Sequence, residues 1–234
     1  MQIIPIKTRR ILETDSLIEL MPKLHEGDVV AIVSKVVALT EGKLRRMSKK
    51  DSMHEEAEMV LDETMMLTLK DGMLVPSAGV DTSNIAPGFS LGWPENSYRS
   101  AAILRRTLCK KFHLKKLGVL IFDSWITPLR NGIVGVSLGY SGFRGVEDYR
   151  GTKDLHGNIL QITQRNVADG LASAATLVCG EGRESTPFVI IRDAPVHFTS
   201  RAVDPSEIRR PPDDCLFRDL YPREVIKKSA HLGA

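Results

Sequence analysis

The chain has 234 residues, of which 42% are hydrophobic and 26% charged, and its formal net charge is +3. These values are typical of a globular protein with a sizeable core. The small net charge and the scattered basic pairs do not favour nucleic-acid binding, and no apolar run approaches the ~18 residues of a membrane-spanning helix.

Cysteine and histidine usage excludes several site types. Cys109, Cys179 and Cys215 are far apart and odd in number, which fits neither a disulfide framework nor a C-x-x-C zinc site. The six histidines show no H-E-x-x-H spacing, so we expect no zinc. With no leader-like segment at Met1, the sequence predicts a cytoplasmic protein without a membrane partner.

Apolar runs and capping signals predict the elements in chain order. Helices are predicted from Ser16, with an end before Pro22, from Ser52, after Asn96 and near Thr163. Buried strands are predicted at Val29–Val33, Met73–Val75, Val119–Phe122, Ile133–Leu138 and Phe188–Ile191. Strands and helices do not alternate strictly, which predicts an α+β fold of mixed β-sheets with flanking helices.

Two compositional features predict the domain organisation. Residues 128–157 are rich in glycine, which indicates twisted strands, bulges and tight turns. Residues 203–234 are rich in proline and charge, which indicates an extended C-terminal arm. We therefore expect a catalytic domain over 1–202, built as one domain or as two interleaved subdomains, followed by the arm.

Three acids lie where the backbone is expected to turn. Asp81 lies in A-G-V-D-T-S-N, Asp123 directly follows G-V-L-I-F, and Glu181 lies in G-E-G. Hard oxygen ligands from separate loops suit Mg²⁺ or Mn²⁺ bound to nucleotide phosphates. Each acid alone is also explained by a plain turn, so the prediction of metal-assisted phosphate chemistry depends on all three together.

A phosphate-binding site in this chain cannot be built on either of the two common nucleotide-binding motifs. The sequence contains neither G-x-x-x-x-G-K-[ST] nor a strand-linked G-x-G-x-x-G. Ser34-Lys35 follows a predicted buried strand and offers a hydroxyl and an ammonium at its end, although Lys35 is equally explained as a solvated lysine. Cys179 is interpreted as a small buried residue rather than a nucleophile.

Six ordered motifs resemble a known family. They are V-A-I-V-S-K with E-G, A-G-V-D-T-S-N, L-I-F-D-S, D-Y-R-G-T-K-D-L-H-G, N-V-A-D-G-L-A-S-A-A-T-L-V-C-G-E-G and T-P-F-V-I-I-R-D. Spread over residues 2–195, they resemble the coenzyme F-420:L-glutamate ligase (γ-glutamyl ligase) family, above all its short bacterial branch assigned to folate metabolism.

The resemblance implies a GTP-dependent enzyme with two Mg²⁺ or Mn²⁺ ions that forms an intertwined homodimer. It implies Asp81, Asp123 and Glu181 as metal ligands, with Ser124 in place of a threonine that binds the second ion. Lys35, Asp81 and Asp123 are the residues expected to support catalysis. The nucleotide contacts that the resemblance implies are Ser34, Lys35, Asn84 and the Cys179–Thr186 loop with Gly180, Glu181, Gly182 and Arg183.

Two departures from the family pattern leave the acceptor open. Leu39 replaces a nucleotide-binding lysine, and N-G-I-V-G-V replaces G-x-T-D. We expect L-glutamate to be joined, through an acyl phosphate, to a pterin/folate or deazaflavin carboxylate, and we expect Arg144 or Arg150 to grip a substrate carboxylate in bidentate fashion. The alternatives are a metal-dependent nucleotide hydrolase or phosphotransferase and a non-catalytic nucleotide-binding protein.

Overall fold

The structure is a computed structural model that describes residues 1–223 and 225. Its α-helices are α1 (Leu17–Leu20), α2 (Ser34–Thr40), α3 (Lys49–Glu56), α4 (Ser97–Phe112) and α5 (Val167–Cys179). Its strands are β1 (Gln2–Ile6), β2 (Val29–Val33), β3 (Leu44–Arg45), β4 (Met59–Asp62), β5 (Leu67–Lys70), β6 (Met73–Pro76), β7 (Ser90–Leu91), β8 (Gly118–Ile126), β9 (Ile133–Ser141), β10 (Val146–Asp148), β11 (Gln164–Asn166) and β12 (Phe188–Arg192).

The chain forms two compact units. Unit 1 consists of Met1–Gly42 and Pro94–Ile208, and unit 2 consists of Lys43–Trp93 with the described residues from Arg209 onward. Parallel and antiparallel pairing occur together in the main sheet, which confirms the predicted α+β class of mixed sheets with flanking helices. The predicted boundary at residue 202 stays a prediction.

Unit 1 is built on a five-stranded sheet in the order β1-β12-β2-β8-β9. The pairing makes β1, β2 and β8 run in one direction and β12 and β9 in the other. The central strand β2 reads V-V-A-I-V, and its first four residues are fully buried because both faces of the sheet are covered. The carboxyl ends of β1 and β2 therefore lie at the same end of the sheet as the second half of β8.

Helices cover both faces of this sheet. One face carries Ile32 and Ile121 and packs against apolar residues of α1, α2 and α4. The other face carries Ala31 and Phe122 and packs against α5. Two buried cores therefore hold the strands in place.

Strand β8 is longer than the apolar run predicted. Its parallel partner β2 ends at Val33, opposite Phe122, but β8 continues beside β9 to the pair Ile126–Ile133. Asp123 consequently lies inside a strand and not at its end, which corrects the prediction. We call residues 123–126 and 133–136 the β8–β9 ribbon. Next to it, Leu138 is left out of the pairing as a bulge, as the glycine-rich composition predicted.

Unit 2 contains the three-stranded sheet β4-β5-β6 and the short pair β3–β7. The side chain of Lys70 is buried, forms an ion pair with Glu56 and lies 5.7 Å from the centroid of the Trp93 ring. Gly79 has φ +70°, and a Cβ at that position would lie 2.2 Å from the Trp93 ring. A glycine is therefore required where the chain turns towards Asp81.

Helix starts were predicted less well than helix ends. Ser48, not Ser52, caps α3 by accepting a hydrogen bond from the Asp51 amide, and α5 begins at Val167 because Asn166 is its cap. Gly180 ends α5 as predicted, and α1 ends before Pro22 as predicted. No helix within residues 1–223 and 225 is both long and apolar enough to cross a bilayer.

Candidate functional site

Unit 1 brings two pairs of predicted site residues to one end of its sheet. Ser34 and Lys35 begin α2 directly after β2, and Asp123 and Ser124 follow Phe122 on the adjacent parallel strand. Val33 pairs with Phe122 on the parallel strand, so the residues that follow them, Ser34 and Asp123, begin next to each other. Ser34 is buried, whereas Lys35 and Asp123 are half-buried and Ser124 is exposed.

Asp123 and Ser124 point to opposite faces of the ribbon. Adjacent strand residues alternate, so Asp123 lies on the face of Ile121 and Ser124 on the face of Phe122. The Asp123 Oδ1 atom accepts a hydrogen bond of 2.9 Å from the Ser124 amide. This local bond fixes the carboxylate close to its own backbone.

The loop between α5 and β12 reaches the same end of the sheet. The Val33 amide donates a 3.0 Å hydrogen bond to the Pro187 carbonyl, which ties the end of the loop to the end of β2. The Cys179 thiol donates to the Thr186 carbonyl at 3.1 Å, and the Thr186 hydroxyl donates back to the Cys179 carbonyl. These two bonds close the predicted phosphate-binding loop across its base.

Electrostatics place Lys35 near this loop. Burial raises the pKa of the Cys179 thiol to about 11, against the opposing hydrogen bond with Thr186. The carboxylates of Glu181 and Glu184 raise this pKa as well, and the Lys35 ammonium lowers it, so all three charges act on one thiol. A thiol with so high a pKa is protonated near neutral pH, which agrees with its interpretation as a buried, non-nucleophilic residue.

The tip of the loop is shaped by its own residues. The Gly182 amide donates a 2.8 Å hydrogen bond to the Glu184 carboxylate, and Ser185 has φ +57°. Gly180 has φ +75°, and a Cβ there would lie 2.5 Å from the Glu184 side chain. Glu181, Gly182 and Arg183 are exposed on the loop.

Asp81 and Asn84 belong to unit 2. The Asp81 backbone pairs with Leu91, and its carboxylate accepts hydrogen bonds from the Thr82 amide at 2.6 Å, the Ser83 amide at 2.8 Å and the Ser83 hydroxyl at 2.6 Å. Asn84 follows with φ +56°. These bonds are those of a turn, which the composition of this motif also predicted.

The predicted metal ligands have suitable donor atoms but are not grouped around one point among the described residues. Carboxylate and hydroxyl oxygens are the donors that Mg²⁺ and Mn²⁺ prefer, so the chemistry of Asp81, Asp123, Ser124 and Glu181 fits such ions. Within residues 1–223 and 225, however, no three His, Cys, Asp or Glu side chains are grouped closely enough to hold a metal ion. The assignment of these four residues stays a prediction.

Comparison with known proteins identifies the family. Residues 50–193 match the family model described as F420-0:Gamma-glutamyl ligase. The Coenzyme F420:L-glutamate ligase of Methanopyrus kandleri is 38% identical over 210 residues, which cover 79% of this chain and 83% of the relative. The protein of the same name from Methanocaldococcus jannaschii is 32% identical over 84% of this chain and 86% of the relative. The chain belongs to the F420-0:Gamma-glutamyl ligase family.

One of the two arginines predicted to grip a substrate carboxylate in this γ-glutamyl ligase family member forms an ion pair with a neighbouring acid. The Arg150 guanidinium donates to both oxygens of Asp148, with Nε distances of 2.9 and 3.0 Å. Arg144 is exposed, and its backbone amide donates to the His197 carbonyl at 2.9 Å. The role of either arginine in gripping a substrate carboxylate stays a prediction, and Arg150 would first have to leave Asp148.

The sequence analysis missed a polar cluster beside β9 of this family member. The Asp169 carboxylate accepts hydrogen bonds from the Ser137 amide at 2.8 Å and from the Asn166 side chain at 2.6 Å. Burial raises the pKa of Asp169, and these two hydrogen bonds oppose that effect. The spacing N-x-x-D at the start of α5 was the available signal, because it predicts a capped helix whose acid lies in the first turn.

Proposed function

We propose that this protein is a GTP-dependent γ-glutamyl ligase that joins the amine of L-glutamate to a carboxylate of a pterin/folate or deazaflavin acceptor. The observation that carries the proposal is family membership together with the single sheet end that Ser34-Lys35, Asp123-Ser124 and the 179–186 loop share. A lysine, an acid and a glycine-containing loop at one edge suit a phosphorylated co-substrate.

The proposed reaction has two steps. A carboxylate oxygen of the acceptor attacks the γ-phosphorus of GTP, and the bond to the β-phosphate oxygen breaks to release GDP and an acyl phosphate. The glutamate amine then attacks the acyl carbon, loses a proton and expels inorganic phosphate, which leaves an amide. Lys35 would stabilise negative charge on the transferring phosphoryl group, and Ser34, Asn84 and the 179–186 loop would hold the nucleotide.

Divalent ions complete the proposal. Asp81, Asp123, Ser124 and Glu181 are the residues that would hold Mg²⁺ or Mn²⁺. When bound, such ions offset phosphate charge and orient the groups that react. The acids of this chain would therefore act as ligands and not as nucleophiles, and Asp123 would be half-buried next to the reacting end of the acceptor.

We also propose a homodimer. The segment between β10 and β11 is closed by its own hydrogen bonds, among them Tyr149 to Thr163 at 3.0 Å, yet Leu155 and Ile162 are 102% and 87% exposed. A hydrogen-bonded segment with uncovered apolar side chains supports a contact with a second copy. Sedimentation of the protein and of Leu155→Glu tests it: a monomeric wild type contradicts the dimer.

The test of the proposed function is a coupled assay. The protein is incubated with GTP, Mn²⁺, L-glutamate and each candidate acceptor, while phosphate release and acceptor mass are followed. The proposal predicts a mass gain of one glutamyl unit, glutamate-dependent phosphate release, and a loss of about 100-fold in rate for Lys35→Met but not for the exposed control Lys23→Met. A rate of phosphate release that does not depend on glutamate would instead support a nucleotide hydrolase.

A further inference from the structure

Trp125 shares a face of the β8–β9 ribbon with Asp123. Alternate residues of a strand point to the same side, so Ile121, Asp123 and Trp125 follow one another on the face that α1, α2 and α4 cover further back. Across the ribbon, Val136 pairs with Asp123 and Val134 pairs with Trp125. An indole and a valine therefore lie next to the predicted metal ligand, one step further along the ribbon.

This part of the ribbon is partly exposed. Within the described residues of unit 1, β9 is the only strand that pairs with β8 beyond Phe122, because β2 turns into α2 at Ser34. Trp125 is half-buried and Val134 is 39% exposed. A partly exposed indole with an aliphatic neighbour is a surface on which planar aromatic rings stack.

The spacing along β8 restricts which ring can use this surface. Two residues of a strand span about 6.6 Å, so the Cα atom of Trp125 lies about one ring-width beyond that of Asp123. An acceptor whose carboxylate is attached directly to a ring places that ring next to its reacting carbon. An acceptor whose carboxylate ends a flexible aliphatic chain places its rings many bonds further away.

We propose that Trp125 is a specificity-determining residue that stacks on the ring of an aryl carboxylate acceptor. The inference rests on the proposed function, since it takes Asp123 as part of the reacting end of the site. Trp125 binds the acceptor and positions its carboxylate, and it takes no part in bond making or proton transfer. The chemistry selected is a benzoate-type acid rather than an acid carried by an aliphatic chain.

Direct binding tests the inference without turnover. The dissociation constant of pteroic acid, whose carboxylate is attached to a benzene ring, is measured by calorimetry for the wild type, Trp125→Ala and Trp125→Phe. Ile126→Ala is the matched control, because Ile126 is the next residue, 55% exposed and on the opposite face. The comparison ligand is F420-0, whose carboxylate ends an aliphatic side chain. Thermal unfolding of each variant checks that it folds.

We expect Trp125→Ala to weaken pteroic acid binding about ten-fold and Trp125→Phe to restore most of it, since stacking adds to the burial of the ring. Ile126→Ala should change it less than about two-fold, and F420-0 binding should change little in any variant. Absence of pteroic acid binding to the wild type would overturn the inference. Equal losses of affinity in Trp125→Ala and Ile126→Ala would also overturn it, as would a loss of affinity in Trp125→Ala that is equal for pteroic acid and F420-0. Failure of the coupled assay with every acceptor would refute the proposed function, and it can be told apart from failure of the binding test, which needs no turnover.

Discussion

Replacing Asp123 with asparagine removes one negative charge from the candidate site and keeps the shape of the side chain. The carboxylate is half-buried, and its Oδ1 atom accepts a hydrogen bond from the adjacent Ser124 amide, which an asparagine oxygen can still accept. If Asp123 binds a divalent ion, the substitution lowers the affinity for that ion at the place where the ion must offset phosphate charge.

The two expected effects differ greatly in size. Asparagine is nearly isosteric with aspartate and the strand position is half-buried, so the substitution should alter the free energy of unfolding by about 0.5 kcal/mol or less. Metal-assisted charge stabilisation is worth several kcal/mol, and each 1.36 kcal/mol is a factor of ten in rate, so turnover should fall at least about 100-fold.

The assay pairs GTP turnover at saturating Mn²⁺ with unfolding in urea. Glu13→Gln is the matched control, since it removes one negative charge from an exposed position of the same unit. We expect normal turnover in Glu13→Gln and its near loss in Asp123→Asn, with similar stability in both. Full GTP and ligase turnover in Asp123→Asn would refute the metal-ligand assignment.

Three further predictions concern the fold and its titration. Gly79→Ala should destabilise the protein by about 3 kcal/mol, because its Cβ meets an indole ring at 2.2 Å, whereas Gly88→Ala, with similar φ but open space, should cost about 1 kcal/mol in urea unfolding. Tyr140→Phe removes the buried hydroxyl that donates to Glu207 and should cost about 1.5 kcal/mol, and an unchanged free energy of unfolding would contradict the contact. The raised pKa of Cys179 predicts slow alkylation of this thiol near neutral pH, and rapid alkylation in the native protein would contradict it. The protonated thiol should also contribute to the free energy of unfolding, fully below pH 9.0 and decreasingly as the pH rises through about 11.

The sequence predicted the buried strands well because burial on both faces leaves a continuous apolar run. Val29–Val33 coincides with β2, and Phe188–Ile191 differs from β12 by one residue. The prediction ended β8 at Phe122 because the next residues, Asp123 and Ser124, are polar and interrupt the apolar run. Within the described residues, this second half of β8 pairs with β9 and no longer with β2. Where β2 ends beside β8 is not visible in the local pattern of β8.

The candidate site was predicted in part for a similar reason. The residues around Asp123, Lys35 and Glu181 could be chosen from their position after apolar runs, and the structure places all three at one end of the unit 1 sheet. The hydrogen bonds that fix Asp81 in its turn follow from turn chemistry. The role proposed for Trp125 could not be predicted from the sequence, because the argument for it depends on the register between β8 and β9 and on where β2 ends.

A crystal structure of the protein with GTP and Mn²⁺ tests the account most directly. We expect the triphosphate beside Lys35 and the 179–186 loop, with anomalous manganese signal at the carboxylates of Asp81, Asp123 and Glu181. Nucleotide bound at another surface, or manganese absent from these carboxylates, would contradict it.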